Sequence, residues 1–106
     1  MSDSIPESTN LYLNDDRFIW DEEKHKANIK KHGVSFNEAT SVFDDDNAMY
    51  FDDEAHSQNE ERFIVIGMSS QLNMLMVCHC YRNGDSLIRL ISARKANNKE
   101  QAQYRR

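Results

Sequence analysis

The sequence predicts an α+β domain: a compact antiparallel β-sheet, two N-terminal helices packed on one of its faces, and a short C-terminal helix. Three observations predict it. Helix-capping signals crowd the stretch from Asp21 to Ser35. Apolar runs of strand length follow one another from Ala48 to Ala93, separated by polar turns. Asn83-Gly84 between the last two runs signals a type I′ hairpin, which makes those strands antiparallel. Helices first and a meander after them suit helices gathered on one side of a sheet. A length of 106 residues fits one domain.

Taken in order, residues 1–16 read as a flexible N-terminal tail, rich in Ser, Asn and Asp and holding the only proline, and residues 17–106 as the folded domain. Arg17 to Trp20 reads as a short strand. Asp21 caps a helix from Glu22 to His32, which opens with acidic residues, closes with Lys30, Lys31 and His32, and stops at Gly33. Ser35-Phe36-Asn37-Glu38 matches a capping box, so a second helix should run from Phe36 to about Phe43, with Phe36, Ala39 and Phe43 as its apolar stripe. Strands are expected at 48–51, 62–67, 74–81 and 86–93, and a short last helix in the segment 97–106 with Asn97 or Asn98 as its cap.

Hydrophobic residues make up 39% and charged residues 29%, with a mean hydropathy of -0.81, enough for a modest core under much solvated surface. The chain shows no apolar run of membrane-spanning length and no basic-then-apolar secretory signal, so a cytoplasmic location without a membrane partner is expected. Cys78 and Cys80 would point the same way from a strand, which suits two small buried residues better than a disulfide or a metal site. No metal and no cofactor are expected. Glycines are three and form no phosphate-binding loop, and no nucleophile signature is present.

The net charge of -5 hides an asymmetry: residues 1–61 carry a balance of -11 and residues 62–106 one of +6. Such a split points to a nucleic-acid surface on one side or to charge pairing within the chain. Strict alternation would put Ile88, Leu90, Ser92 and Arg94 on one face of the last strand, and Leu87, Arg89, Ile91 and Ala93 on the other. Arg62 opens its strand on the face of Ile64 and Ile66. Arginines at strand ends offer planar forks to phosphates; the alternative is pairing with the acidic loop at 52–61. On the first helix Lys24, Asn28 and Lys31 form a polar stripe beside His25, Ile29 and His32, which is either a solvated face or one wall of a polyanion groove.

The stretch from Phe18 to Asp45 resembles the opening of the BrnT toxin family, W-D-x-x-K-x-x-x-N-x-x-K-H-G-V-x-F-x-x-A. Trp20, Asp21, Lys24, Asn28, Lys31, His32, Gly33, Val34, Phe36, Ala39, Phe43 and Asp44 stand in register. A second signature is present as Glu60, Glu61, Arg62 and Gly67, and a third as Arg89 to Ala96 with Glu100 and Tyr104. The one departure, Leu90 where Ile is usual, is conservative. The resemblance spans about residues 17–104. It implies a RelE-like fold and a ribonuclease toxin of a type II toxin–antitoxin pair that cuts RNA and arrests translation. It also implies a partner, a BrnA-like ribbon-helix-helix antitoxin, whose complex with the toxin binds operator DNA and represses their operon.

Within that reading the candidate catalytic residues are Lys31, His32, Glu61, Arg62 and Arg94, and the candidate RNA contacts are Lys24, Asn28, Arg89, Lys95 and Tyr104. Arg62 and Arg94 would neutralise the phosphorane, since a guanidinium keeps its charge at any working pH. Glu61 or His32 would take the 2′-proton, and Lys31 would hold the scissile phosphate. The alternative function is a non-catalytic module that binds nucleic acid or protein.

Overall fold

The computed structural model describes residues 11–104. Its elements are β1 (Leu11–Asn14), β2 (Phe18–Asp21), α1 (Glu22–His32), α2 (Phe36–Thr40), β3 (Met49–Asp52), β4 (Phe63–Met68), β5 (Met74–Arg82), β6 (Leu87–Lys95) and α3 (Asn98–Tyr104), with 3-10 turns at Ser41–Asp44 and Glu54–His56. The strands form one six-stranded sheet in the order β1-β2-β6-β5-β4-β3. The expected α+β class holds, but the sheet is mixed rather than antiparallel: β2 and β6 run parallel, with Phe18 opposite Ile88 and Ile19 opposite Arg89. The cause is topological. The chain leaves β2 through both helices, and its closing meander returns β6 beside β2 in the same direction.

Strand β1 falls inside the stretch expected to be tail, and corrects that boundary at Leu11–Asn14; residues 1–10 of the expected tail lie outside the described residues. Asp15 and Asp16 take left-handed backbone (φ 56° and 57°), folding β1 back on β2 so that Tyr12 stacks 5.0 Å from Trp20. The caps form, with one correction. Asp21 accepts from the Glu23 N–H, Ser35 accepts from the Glu38 N–H, and Asn97 accepts from the Glu100 N–H. The box expected at Ser35 is only half made, because the buried Glu38 carboxylate accepts from Ser69 and Asn73 instead of reaching back. Gly33 ends α1 at φ 72°, donating its N–H to the Ile29 carbonyl. α2 is shorter than expected, ending at Thr40. There the Thr40 and Ser41 hydroxyls donate to the carbonyls of Asn37 and Glu38, and the chain tightens into the 3-10 turn.

The core lies where Phe18, Trp20, Val65, Leu75, Val77, Leu90 and Ala93 of the sheet meet Val34, Phe36, Ala39 and Val42. α1 packs on β2 and β6, α2 on β6, and the 3-10 turn on β4. Phe36 is wholly buried, and its truncation to alanine would cost about 3–5 kcal/mol. Gly67 lets the 3-10 turn come close: a Cβ there would lie 2.8 Å from Val42 Cγ1. β5 and β6 are joined as an antiparallel hairpin, but Arg82 faces Leu87, so the loop has four residues rather than the two expected, with Asn83, Gly84 and Asp85 (φ 53°, 61° and 76°) all left-handed.

One irregularity decides where the arginines go. β5 and β6 slip register after Cys78: Cys78 faces Ser92, but His79 faces Leu90, so Ile91 is an extra residue on β6. The strict alternation expected for β6 therefore fails. Leu90 and Ala93 both point into the core, while Arg89 (opposite Cys80) and Arg94 (opposite Met76) come to the same face rather than to opposite ones.

Candidate nucleic-acid interface

The face of the sheet away from the core carries Cys78, Cys80 and Arg82 of β5, Arg89 and Arg94 of β6, and Arg62 just before β4. Four guanidinium groups thus share one side, three of them at one end. Arg82 Nη2 lies 2.9 Å from Glu60 Oε1, and Arg62 Nε lies 3.6 Å from Glu60 Oε2. Arg89 sits within electrostatic reach of both Glu60 and the Cys80 thiol, and no ion pair holds it among the described residues. Burial alone would raise the Glu60 carboxyl, but the Arg82 hydrogen bond and the charges of Arg82, Arg62 and Arg89 outweigh it and hold the pKa below the ordinary value. Glu60 and the deeper Asp53, which lies against Cys78, are two carboxylates to three guanidiniums, and the half-buried arginines keep a local excess of positive charge, a setting suited to a phosphate. The sequence alternative of pairing with the acidic loop is realised at Glu60, and only in part.

Beneath the arginines lie Cys78 and Cys80, both free and buried as expected. Burial first, then the adjacent Asp53 carboxylate, pushes the Cys78 thiol up to about 12, so it stays protonated and inert.

A second basic group lines the edge of β6. Lys24, Lys31 and His32 of α1 border an open groove whose floor is Ile91 and Ser92. That floor is the bulge itself, between Arg89 and Arg94 in the chain. Asn28, expected to touch RNA, is buried instead. Its amide donates to the carbonyls of Val34 (2.9 Å) and Ala93 (2.8 Å) and accepts from the Ala93 N–H (3.1 Å). It stands in for a neighbouring strand along β6 beyond the reach of β2, and so holds α1 and its lysines in place.

Arg94 lies farther along the arginine face. Both terminal nitrogens meet Glu100 (2.9 and 2.8 Å), and Nη2 also touches Met76 Sδ at 3.1 Å. Tyr104 donates its hydroxyl to Asp45 Oδ2 at 2.8 Å, which ties the end of α3 to the turn before β3. Lys95 is exposed and pairs in register with Leu75, on the opposite side from Arg94. Glu61 is exposed beside Phe63, bordering clefts that also reach Arg62 and Arg82. The structure therefore joins Arg62 with Arg89, and Lys24 with Lys31 and His32. It commits Asn28 and Tyr104 to internal hydrogen bonds. Sequence reasoning missed Glu60 as the carboxylate among the arginines, and Arg82 altogether; the Cys78, Cys80, Arg82 alternation was the available signal for the latter.

Comparison with known proteins agrees with this architecture. A family model described as ribonuclease toxin, BrnT, of type II toxin-antitoxin system matches residues 20–100. The crystal structure of the Brucella abortus ribonuclease toxin BrnT superposes with a TM-score of 0.60 at 28% identity, covering 77% of this chain and 97% of that one. No curated protein sequence matches. With the family model spanning most of the folded region, the chain belongs to the BrnT family of ribonuclease toxins of type II toxin–antitoxin systems.

Proposed function

We propose that this protein is a metal-independent endoribonuclease of RelE-like design that cleaves cytoplasmic messenger RNA, arrests translation, and is neutralised by a BrnA-like ribbon-helix-helix antitoxin with which it represses its own operon through operator DNA. The observation that carries the catalytic part is the bulge at Ile91, which turns Arg89 and Arg94 to the side that also holds Arg62 and Arg82. In this reading the 2′-oxygen of a ribose attacks the adjacent phosphorus in line, the 5′-oxygen leaves, and a 2′,3′-cyclic phosphate and a 5′-hydroxyl remain. Arg62 and Arg89 neutralise the phosphorane oxygens, and the ionised Glu60, braced by Arg82, fixes the Arg62 guanidinium. Lys31 holds phosphate at the β6 edge, with Lys24 beside it, and of the two candidate bases His32, in the same groove, serves in proton transfer rather than Glu61, which stands two residues before Phe63 and so on the other side of the sheet from Arg62. Arg94, oriented by Glu100, meets a neighbouring phosphate roughly 13 Å along the strand from Arg89, four residues of β5 at the usual rise.

The test is cleavage of RNA by the purified chain in EDTA, with the ends of the products identified. Cyclic phosphate ends are expected, with Arg62→Ala and Arg89→Ala each slowing cleavage by roughly 10²–10³-fold, and with Arg94→Ala and His32→Ala also slowed. In bacteria the same variants should relieve growth arrest. RNA binding without cleavage, on ribosomes as well as in free solution, would identify a binding module instead.

A further inference from the structure

On the opposite side of the sheet, beyond the reach of the helices, four aromatic rings surround His79: Phe43 at 4.9 Å, Tyr81 at 5.5 Å, Phe63 at 6.1 Å and Tyr50 at 6.2 Å between ring centroids. Tyr50 is 51% exposed and the other three are half-buried, so the group forms an aromatic surface open to solvent. Its border is acidic. Asp44 follows Phe43, Asp52 lies two residues along β3 from Tyr50, Glu61 two residues before Phe63, and Asp85 acts on the Tyr81 hydroxyl; all four carboxylates are exposed. The nearby cations are already matched, Arg17 to Asp44 and Arg82 to Glu60.

We infer that this acid-rimmed aromatic surface is the seat of a cationic, apolar segment of the antitoxin. The inference rests on the reading of the chain as a toxin with a protein antitoxin, and adds where the partner binds and by what chemistry. Charge decides the occupant. A strand of RNA would bring phosphates against four carboxylates, whereas lysine or arginine would meet the carboxylates at the rim and the faces of Tyr50 and Tyr81 at the centre. The acidic character of the segment from Asp44 to Glu61, unexpected beside an RNA site, then has a use: Asp45 and Glu60 are taken by internal hydrogen bonds and Asp44 is paired with Arg17, while Asp52 and Glu61 are left for the partner.

The experiment uses the full chain and the product of the short reading frame adjacent to its gene, with a single-stranded RNA oligonucleotide as the competing probe. Tyr50→Ala and Asp52→Lys change exposed residues outside the proposed catalytic group. Each should weaken binding of the antitoxin by about tenfold or more, as truncation of an interface anchor does, while RNA affinity and cleavage stay at the parental level. In the parent, amide exchange along Met49–Asp52 and at Phe63 should slow when the antitoxin binds. Unchanged antitoxin affinity in both variants, or exchange protection confined to Arg89–Arg94, would overturn the inference. So would a loss of RNA affinity in Tyr50→Ala, which would make the rings a base-stacking surface. If the parent does not cut RNA and the variants still lose the antitoxin, the catalytic reading fails and this one stands.

Discussion

His79 has no exposed surface, its Nδ1 lies 3.4 Å from the Val77 carbonyl, and its Nε2 has no hydrogen-bond partner among the described residues. Burial lowers its pKa to about 4, against an ordinary value of 6.5. The ring is therefore neutral when folded and protonates more readily when unfolded. For such a group the unfolded state binds more protons between these two values, so stability is full above about pH 6.5 and falls as pH drops toward 4, by at most roughly 3 kcal/mol. His79→Phe removes the titration and the orphaned nitrogen while keeping a ring among Phe43, Tyr50, Phe63 and Tyr81. Urea denaturation of parent and variant at several pH values should show near-equal stability at pH 7 and a shallower acid decline for the variant. Parallel declines would exclude His79 as the source. At the same scale, Glu100→Ala removes the carboxylate that holds Arg94 and the Asn97 N–H. It should destabilise the protein by about 1 kcal/mol, a part-exposed pair being worth little more, and reduce exchange protection in α3.

At the scale of elements, the attachment of α1 rests on a side chain rather than on an apolar stripe. Ile29 is 45% exposed, and Asn28 is the buried residue of the helix. Asn28→Ala would leave the Ala93 N–H and carbonyl without partners and cost about 2–3 kcal/mol. Nuclease activity should fall further than stability alone explains, because Lys24, Lys31 and His32 ride on this helix; residual activity measured well below the variant's Tm tests it. Gly67→Ala should destabilise by about 1–3 kcal/mol, since its new methyl group must displace Val42 or Ala48; the midpoint of thermal unfolding checks this. Most elements were legible because their signals are local: caps at Asp21, Ser35 and Asn97, a left-handed stop at Gly33, a hairpin at Asn83-Gly84. β1 was not, because Leu11 to Asn14 is a strand only by virtue of the turn at Asp15-Asp16 and the neighbour it finds in β2. The burial of Asn28 is not legible, because a polar residue between two lysines gives no hint that β6 offers it an unpaired edge. The bulge at Ile91 left no mark in the apolar pattern either, and with it went the true sidedness of Arg89 and Arg94.

At the scale of the molecule, charge divides between the two sides of one sheet. Among the described residues one side is aromatic and rimmed by Asp44, Asp52, Glu61 and Asp85, and the other is built by Arg62, Arg82, Arg89 and Arg94. Each polyelectrolyte partner then has one side it can approach without repulsion. The arrangement makes RNA affinity strongly dependent on salt, and it identifies which charges set the dependence. Removing one phosphate contact from a single-stranded complex lowers the slope of log K against log salt by about 0.7. Arg89→Gln should flatten the slope by that amount, since Arg89 has no ion pair among the described residues to absorb its charge. Arg17→Gln should leave it unchanged, because Arg17 lies against Phe18 and Asp44 on the other side. Fluorescence titration of a labelled RNA oligonucleotide across a salt series measures both. Equal slopes for parent and Arg89→Gln, or a change confined to Arg17→Gln, would place RNA on the acid-rimmed side and reverse the assignment of the two surfaces.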